Sequence, residues 1–507
     1  MKKLISLLKK IDDNIVRYLV TVYIFFIPLF PKIPIKAVYN TYIAVRVDDL
    51  FIALVIGVYL LQIIRKKIAI KPPFLNLFLL FWGAVFISLN YGIFIAQNIS
   101  KSHDYLVLGV LNGLRRVQYM LPFFIGFSVI KSKKDFYGYM KSIFISTFLV
   151  CVYGIGQKYF GWPAIQTMNP EYSRGHLLIL TPEARVSSTF AGHYDLAAYL
   201  ILLFPVIYGF YFFRKKTTYL LLFIIALFTM ILTASRVSFG AYLISLLGFL
   251  FFIKKYRHLV LVIVLTVVFT LMNNNLTSRI RRTFQIKRIF VNEKTGQVVV
   301  PQKSTIKELP AGTFYIPIQG GEATQLQILM DEKLAREKIL SDIRDQASRS
   351  GRILTKSEEE IIFASISAGL RPIITVVSDI SFATRLQVEW PRAITAFIRN
   401  PILGTGVSSI TEATDNDYLR WLGETGLLGT ALFIYILYSI YQKIIKKIKD
   451  MDKGIRNIYY GFLFGFFGLL INAGWIDVFE ASKVAYIFWL ICGFYIASLQ
   501  FLKTRRT

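Results

Sequence analysis

A chain that runs apolar again and again, each run broken by a short basic cluster, has few folds open to it. Here the apolar runs fall at about 15–31, 48–64, 74–92, 113–130, 138–157, 196–213, 218–234, 237–253, 258–272, 426–442, 457–474 and 483–501. Each is close to the length a helix needs to cross roughly 30 Å of hydrocarbon. In lipid, a helix is the one element that satisfies its backbone polar groups within a single segment. The expectation is an all-α polytopic membrane protein with about twelve transmembrane helices.

The basic clusters set the expected orientation. Lys2, Lys3, Lys9 and Lys10 precede the first run. The even-numbered runs end in Arg65-Lys66-Lys67, Lys131/Lys133/Lys134, Arg214-Lys215-Lys216, Lys254-Lys255/Arg257, Lys443/Lys446/Lys447/Lys449 and Lys503/Arg505/Arg506. If the N-terminus is cytoplasmic, every one of these clusters is cytoplasmic too, as the positive-inside rule requires. Both termini are then inside. No small-residue cleavage site follows the first run, so no cleavable signal is expected.

This pattern also explains the net charge of +29, which would otherwise point to nucleic acid. Segment 273–380 holds 16 of the 59 Lys and Arg and 12 of the 30 Asp and Glu, leaving 43 basic against 18 acidic residues elsewhere. Much of that excess lies in the clusters between apolar runs, so it reads as topology signal, with a lipid bilayer and not nucleic acid as partner. The 15% aromatic content excludes a disordered chain. The only cysteines, Cys151 and Cys492, lie inside apolar runs, which argues against a disulfide scaffold. With four histidines besides, no metal and no cofactor is expected.

The expected organisation is three parts: 1–272 with spans one to nine, 273–425 as an extracytoplasmic α+β domain, and 426–507 with the last three spans. A smaller outer loop lies near 158–195. Within the large outer segment, Val298-Val299-Val300 and Phe314-Tyr315-Ile316 read as short strands, with a turn at Lys294-Thr295-Gly296. Residues 322–347 read as a charged helix with Leu326, Leu329, Leu334 and Ile343 near one side, and 357–369 as another. No long-period repeat is evident.

Arginines at the outer ends of the spans carry the first chemical signal. A charge in hydrocarbon costs at least ~2.5–3.5 kcal/mol, so it is normally kept for a partner. Arg236 follows Thr233-Ala234-Ser235 in a hairpin with almost no loop; Arg385 opens Arg385-Leu386-Gln387-Val388-Glu389-Trp390; Arg185 lies in the earlier outer loop. A guanidinium fork suits diphosphate oxygens. Each arginine equally suits a headgroup anchor or an internal ion pair, and Arg385 has Glu389 at i+4. Arg115-Arg116, beside the fourth run, either add positive field to the same side or snorkel from a surface helix.

The second signal is 391–430. Pro391 can open a helix ending near Asn400-Pro401, followed by a turn at Leu403-Gly404-Thr405-Gly406 and then Thr414-Asp415-Asn416-Asp417-Tyr418-Leu419. Thr414 and Asp417 have capping-box spacing. Asp415 and Asp417 are also candidate general bases for a sugar hydroxyl at the mouth of a helical bundle. Gly423, Gly426 and Gly429 permit close packing on re-entry into the membrane. His193 and Asp195 lead into the sixth span as a cap or as contacts to a sugar. Trp390 and Trp421, like Trp82, Trp162 and Trp475, belong either to an interfacial belt or to a stacking surface for sugar rings.

At these residues the sequence resembles the O-antigen ligase and polymerase family of bacterial envelope glycosyltransferases. Arg185 through Leu200 looks like the family's Arg-x-x-Gly-Thr-Phe-x-x-Pro-Asn-x-x-Ala block. Thr233-Ala-Ser-Arg236 is similar to its Ser-Arg-Gly. The longest block runs from Arg385 to Gly429, through Asn400-Pro401-x-x-Gly404-x-Gly406 and Tyr418-Leu419-x-x-x-Gly423-Glu424-x-Gly426-Leu427-Leu428-Gly429. Roughly 283–375 looks like an insertion. The departures are Asp415 or Asp417 in place of a ligase histidine, Val237 in place of Gly, Ser188 where Gly is common, and His193-Tyr194-Asp195 in place of an Asn-Pro-Asn type of turn.

The resemblance implies a metal-independent, inverting glycosyltransferase of the cytoplasmic (inner) membrane, working on its outer face. Its donor would be an undecaprenyl-diphosphate-linked glycan and its acceptor a glycan or lipid hydroxyl. The carboxylates leaning on that base position favour a surface-polysaccharide polymerase over ligase-type transfer to a lipid or protein. The arginines matching Arg236 and Arg385 are implied to hold the diphosphate, with Arg185 beside them. A twelve-span secondary transporter is the rival class.

Overall fold

The computed structural model describes residues 2–37, 44–68, 72–99, 103–167, 175–292, 298–299, 315–317, 325–349, 354–367, 370–378, 382, 384–410 and 414–501. Residues 1–277 and 392–507 make one compact unit, and 278–391 a second. The turn at Lys294-Thr295-Gly296, Val300, Phe314 and the last basic cluster lie outside the described residues.

The first unit is a helical bundle. Its helices include α1 (Lys2–Leu29), α2 (Val47–Ile64), α3 (Leu75–Asn90), α4 (His103–Met120), α5 (Pro122–Val129), α6 (Lys133–Tyr159), α7 (His193–Arg214), α8 (Thr217–Leu232), α9 (Arg236–Tyr242), α10 (Gly248–Phe252) and α11 (Tyr256–Met272), and α12 (Asn274–Thr283) carries the chain across the boundary between the units. After the second unit come α16 (Asp417–Ile448), α17 (Lys453–Ala473) and α18 (Ser482–Ser498). Helical backbone lies over each of the twelve apolar ranges. Among the described residues, six helices are long and apolar enough to cross a membrane, and several shorter apolar ones accompany them. The fourth range is two helices, because Pro122 lacks an N–H to continue α4 and instead starts α5 at its first position. The eighth passes through a π turn, Leu243–Leu247, between α9 and α10.

Burial separates inner from outer helices. All of α18 is buried, and so is α7 from Leu196 to Phe210. A helix apolar on every side belongs in the middle of such a bundle. On α2 and α11, by contrast, Leu50, Leu54, Leu61, Ile64, Val260, Val264 and Leu271 are exposed, the apolar outer surface of a helix that faces lipid. Helices α7 and α17 approach closely, so that a Cβ on Gly461 or Gly465 would run into the carbonyls of Pro205 and Leu202. Small residues at such a seam let two backbones touch where lipid offers no hydrophobic drive. A two-stranded hairpin, β1 (Pro34–Ala37) with β2 (Ala44–Arg46), joins α1 to α2.

The second unit holds a four-stranded antiparallel sheet in the order β4-β3-β6-β5. Strand β3 (Phe284–Asn292) pairs with β6 (Leu370–Ser378) from Phe284↔Ser378 to Asn292↔Leu370, flanked by β4 (Val298–Val299) and β5 (Tyr315–Pro317). Helices α13 (Gln325–Arg349) and α14 (Lys356–Ser367) pack on each other through Ala335, Ile339 and Ile343, a strict i, i+4, i+8 row. That row differs from the expected leucine face: Leu334 is only half-buried, and the side chains of Leu326 and Leu329 lie outside the described set. Thr355 and Glu358 form a reciprocal cap at the start of α14. Arg344 clamps Glu359 with two bonds of 2.9 and 2.7 Å.

Candidate functional site

One end of the bundle concentrates its polar groups. It collects the chain leaving α1, the β1–β2 hairpin, the starts of α2, α7, α9 and α16, and the loop from α17 to α18. Two segments there are stitched to each other. Asp477 Oδ2 accepts from the amides of Thr414 and Asp415 at 3.0 and 3.3 Å, and its Oδ1 from that of Asn416 at 3.1 Å. The same carboxylate takes Arg420 Nη1 at 2.9 Å. In return, Asp417 Oδ2 accepts from the amides of Val478 and Phe479 at 2.7 and 3.0 Å. The helix cap is Asn416, whose side chain accepts from Leu419 N at 3.0 Å, and not the expected Thr414. The reason is that Asn416 itself takes the extended backbone of an N-cap, whereas Thr414 is tied to Asp477 through its amide.

Helix α16 is broken inside. Gly426 has φ 62° and ψ −165°, a backbone open to glycine and strained for any residue with a Cβ. The break frees backbone groups that lipid could not satisfy. Residues 401–406 satisfy them: Thr405 N and Gly406 N donate to the carbonyls of Gly423 and Glu424 at 2.9 and 3.0 Å, and Leu427 N and Leu428 N to those of Pro401 and Ile402 at 2.8 and 3.1 Å. The expected turn at 403–406 is thus a splint for a discontinuous helix. It also aims Glu424, whose Oε1 accepts from Ser408 N at 3.2 Å.

Glu424 faces a cavity of about 180 Å³. Five cations stand on its wall, Lys32, Arg46, Arg115, Arg116 and Arg420, against three carboxylates, Asp195, Glu424 and Glu480. Arg116 bonds Glu424 through Nη2, which also lies 3.1 Å from Glu480 Oε1. Arg420 Nε is 3.7 Å from Glu424. Arg115 donates to the Ala44 carbonyl at 2.9 Å and stands 3.7 Å from Asp49. Lys32 donates to Ser482 Oγ and lies 4.0 Å from Asp48. Burial pushes the Lys32 pKa below the usual lysine range; Arg46 adds to this, and Asp48, Asp195 and Asp49 oppose it. Nearby, Lys483 donates to the carbonyls of Phe30 and Thr189, both at 2.7 Å.

Of the residues singled out in the sequence, Arg115 and Arg116 line this wall, and so does Asp195. Its neighbour His193 is buried with its ring 3.9 Å from that of Tyr194. Arg185 lies over the Tyr194 ring at 5.5 Å, with Nη1 3.4 Å from the Tyr194 hydroxyl. Arg236 is the first residue of α9 and is half-buried. Arg385 is buried in a π turn, Arg385–Glu389, in the second unit, and Trp390 begins α15 (Trp390–Arg399). Asp415 is half-buried with φ 49°. Trp421 is core, its ring 3.8 Å from Phe433 and 5.5 Å from Phe479. Two of the departures also find their cause. Ser188 has φ 52°, the conformation a glycine favours, and its hydroxyl holds the Val150 carbonyl at 2.7 Å. The left-handed residue beside Arg236 is Ala234, φ 49°, while Val237 is ordinary helix.

The wall residues Lys32, Arg46, Arg420, Glu424 and Glu480 carried no expected role. Their signal was present but diffuse: charged residues at the ends of apolar runs, with Glu424 inside the longest family-like block.

The deciding comparison covers part of this site. Residues 221–434 match the O-antigen ligase family, Wzy_C. Residues 221–434 belong to the O-antigen ligase family. No curated protein matches the chain significantly. The O-antigen ligase domain runs from α8 into α16, so it contains Arg236, Arg385, Arg420, Glu424 and the splinted break. Lys32, Arg46, Arg116, Asp195 and Glu480 complete the cavity from outside it. The matched segment supports glycosyltransferase activity of O-antigen ligase or polymerase type, a family that implies lipid-linked glycans as substrates, in a helical, multi-pass membrane protein.

Proposed function

We propose that this protein moves a glycan from undecaprenyl diphosphate to a sugar hydroxyl on the outer face of the cytoplasmic membrane, extending a surface polysaccharide. The observation that carries the reading is the cation-rich cavity at the polar end of an apolar bundle, built partly from the O-antigen ligase domain. The acceptor hydroxyl attacks the anomeric carbon, the bond to the carrier oxygen breaks with inversion, and the lipid diphosphate leaves. Asp195, on the cavity wall, takes the hydroxyl proton. Asp417 is a scaffold carboxylate, occupied by two backbone amides. Arg236 and Arg385 neutralise charge on the departing diphosphate, as the resemblance implies. No metal step is needed, because guanidinium groups supply the positive charge.

The test is purified protein with its native lipid-linked oligosaccharide, followed by sizing of products. A ladder means polymerisation and a single conjugate means ligation. Arg236→Ala and Arg385→Ala, each alone, should lower turnover by roughly 100-fold or more, the scale of losing one transition-state charge contact. Unchanged transfer by both would overturn the clamp, and no transfer by the intact protein would overturn the activity.

A further inference from the structure

Two guanidinium groups on the cavity wall hold donors that no described residue accepts. Arg116 has a side chain only 5% exposed. Its Nη2 is used by Glu424 and Glu480, but its Nε and Nη1 are buried without a hydrogen-bond acceptor. Arg46 also has a buried Nε with no acceptor, and no ion pair engages its guanidinium among the described residues. Its backbone amide alone is held, by Asp49 Oδ2 at 3.0 Å. A buried N–H left unmade costs free energy, more so on a charged group. Such a cost persists where a ligand supplies the acceptors.

The remaining wall charges do not supply them. Glu424 and Glu480 are turned to Arg116 Nη2, with Arg420 also near Glu424, and Asp195 acts on Lys32 and Arg46 through space, with no hydrogen bond or ion pair to either. Arg115 is taken by Ala44 and Asp49, and Arg420 by Asp477. Lys32 adds a third cation, 3% exposed and beside Ser482. Cations outnumber carboxylates on the wall, so the local field is positive.

We propose that Arg46, Arg116 and Lys32 form an oxyanion subsite, which takes a single phosphoryl or carboxylate group with the atoms attached to it. Two forks and an ammonium match an acceptor-rich, planar or tetrahedral anion. The subsite is separate from the proposed diphosphate clamp, since Arg236 is not on this wall. It rests on the glycosyl-transfer reading only for the source of the anion: a phosphoryl of the carrier headgroup, or the carboxylate of an acidic sugar.

Arg46 is the residue to change, because its guanidinium bonds no other side chain among the described residues, whereas removing Arg116 would strand two carboxylates. Purified full-length protein in lipid nanodiscs is titrated with inorganic pyrophosphate and, separately, with methyl glucuronide at one fixed salt concentration. Wild type should bind at least one probe. Arg46→Ala should weaken that binding roughly tenfold or more, the scale of one charge-assisted contact, with the melting temperature unchanged. Arg46→Lys should recover part of it. Loss confined to pyrophosphate assigns the subsite to the carrier, and loss confined to the glucuronide assigns it to an acidic glycan. If wild type binds neither probe, or Arg46→Ala binds both as wild type does, the subsite is overturned. If Arg236→Ala abolishes pyrophosphate binding and Arg46→Ala changes neither probe, the subsite falls and the clamp stands. If Arg46 governs binding but the protein transfers no glycan, the subsite stands and the glycosyltransferase reading falls.

Discussion

Asp195 and Asp417 are acids in the first turns of two helices at the same end of the bundle, yet their surroundings give them opposite work. Asp417 is fully buried, with Oδ2 taken by two amides of the α17–α18 loop. Asp195 stands on the cavity wall. Asp417→Asn should therefore cost stability, about 1–3 kcal/mol for a disturbed buried acceptor, seen as a lower melting temperature. Asp195→Asn should leave melting unchanged and cut glycan transfer roughly 100-fold, the scale of a lost general base. The reverse pattern in paired melting and turnover measurements would exchange the two roles. From sequence the two aspartates could not be told apart, because Asp417's partners lie some 60 residues further on. Trp421 was misleading for the same reason. An aromatic residue near a span end reads as a sugar platform until Phe433 and Phe479 are seen to enclose it.

At the scale of elements, the broken helix α16 depends on one glycine. A Cβ at Gly426 would meet the Ile402 carbonyl and force a left-handed φ on a residue that resists it. Gly426→Ala should lower stability by more than about 1–3 kcal/mol, the cost of the strained backbone alone, and thermal melting of the purified protein would reveal it. In the second unit, the Arg344 bonds hold the Glu359 carboxyl below the usual range. Its contribution is present above the unfolded carboxyl value of about 4.3 and lost as pH falls through the lower folded value. Hydrogen exchange across 325–349 should accordingly be faster in Glu359→Gln than in wild type at pH 7, with the difference vanishing in acid. The helices were legible here because period and charge recur within each one. The nine-residue strands β3 and β6 were not. They pair across some eighty residues, and neither alternates cleanly: β6 runs Ile373-Ile374-Thr375-Val376-Val377, and β3 interleaves Lys287 and Arg288 with its apolar residues.

For the whole molecule, the string of apolar runs made the helical membrane architecture readable, while the cavity was not, since its wall draws on segments from Lys32 to Ser482. The expected orientation can be checked directly. Cys151 and Cys492 are buried, so the native chain should react little with a membrane-impermeant maleimide. A cysteine at exposed Glu183 should label in intact cells, and one at exposed Lys216 only after the membrane is opened; the opposite result would invert the topology. The wholly enclosed helix α18 carries a further consequence. It packs against α1, α4, α5, α6, α7 and α16, all of which leave the ribosome before it. Those helices must wait in the bilayer around an unfilled centre, and Glu480 and Ser482 reach the wall as α18 threads in. Chains arrested upstream of α18 would be inserted yet inert, so a cell is spared half-made enzyme competing for carrier lipid.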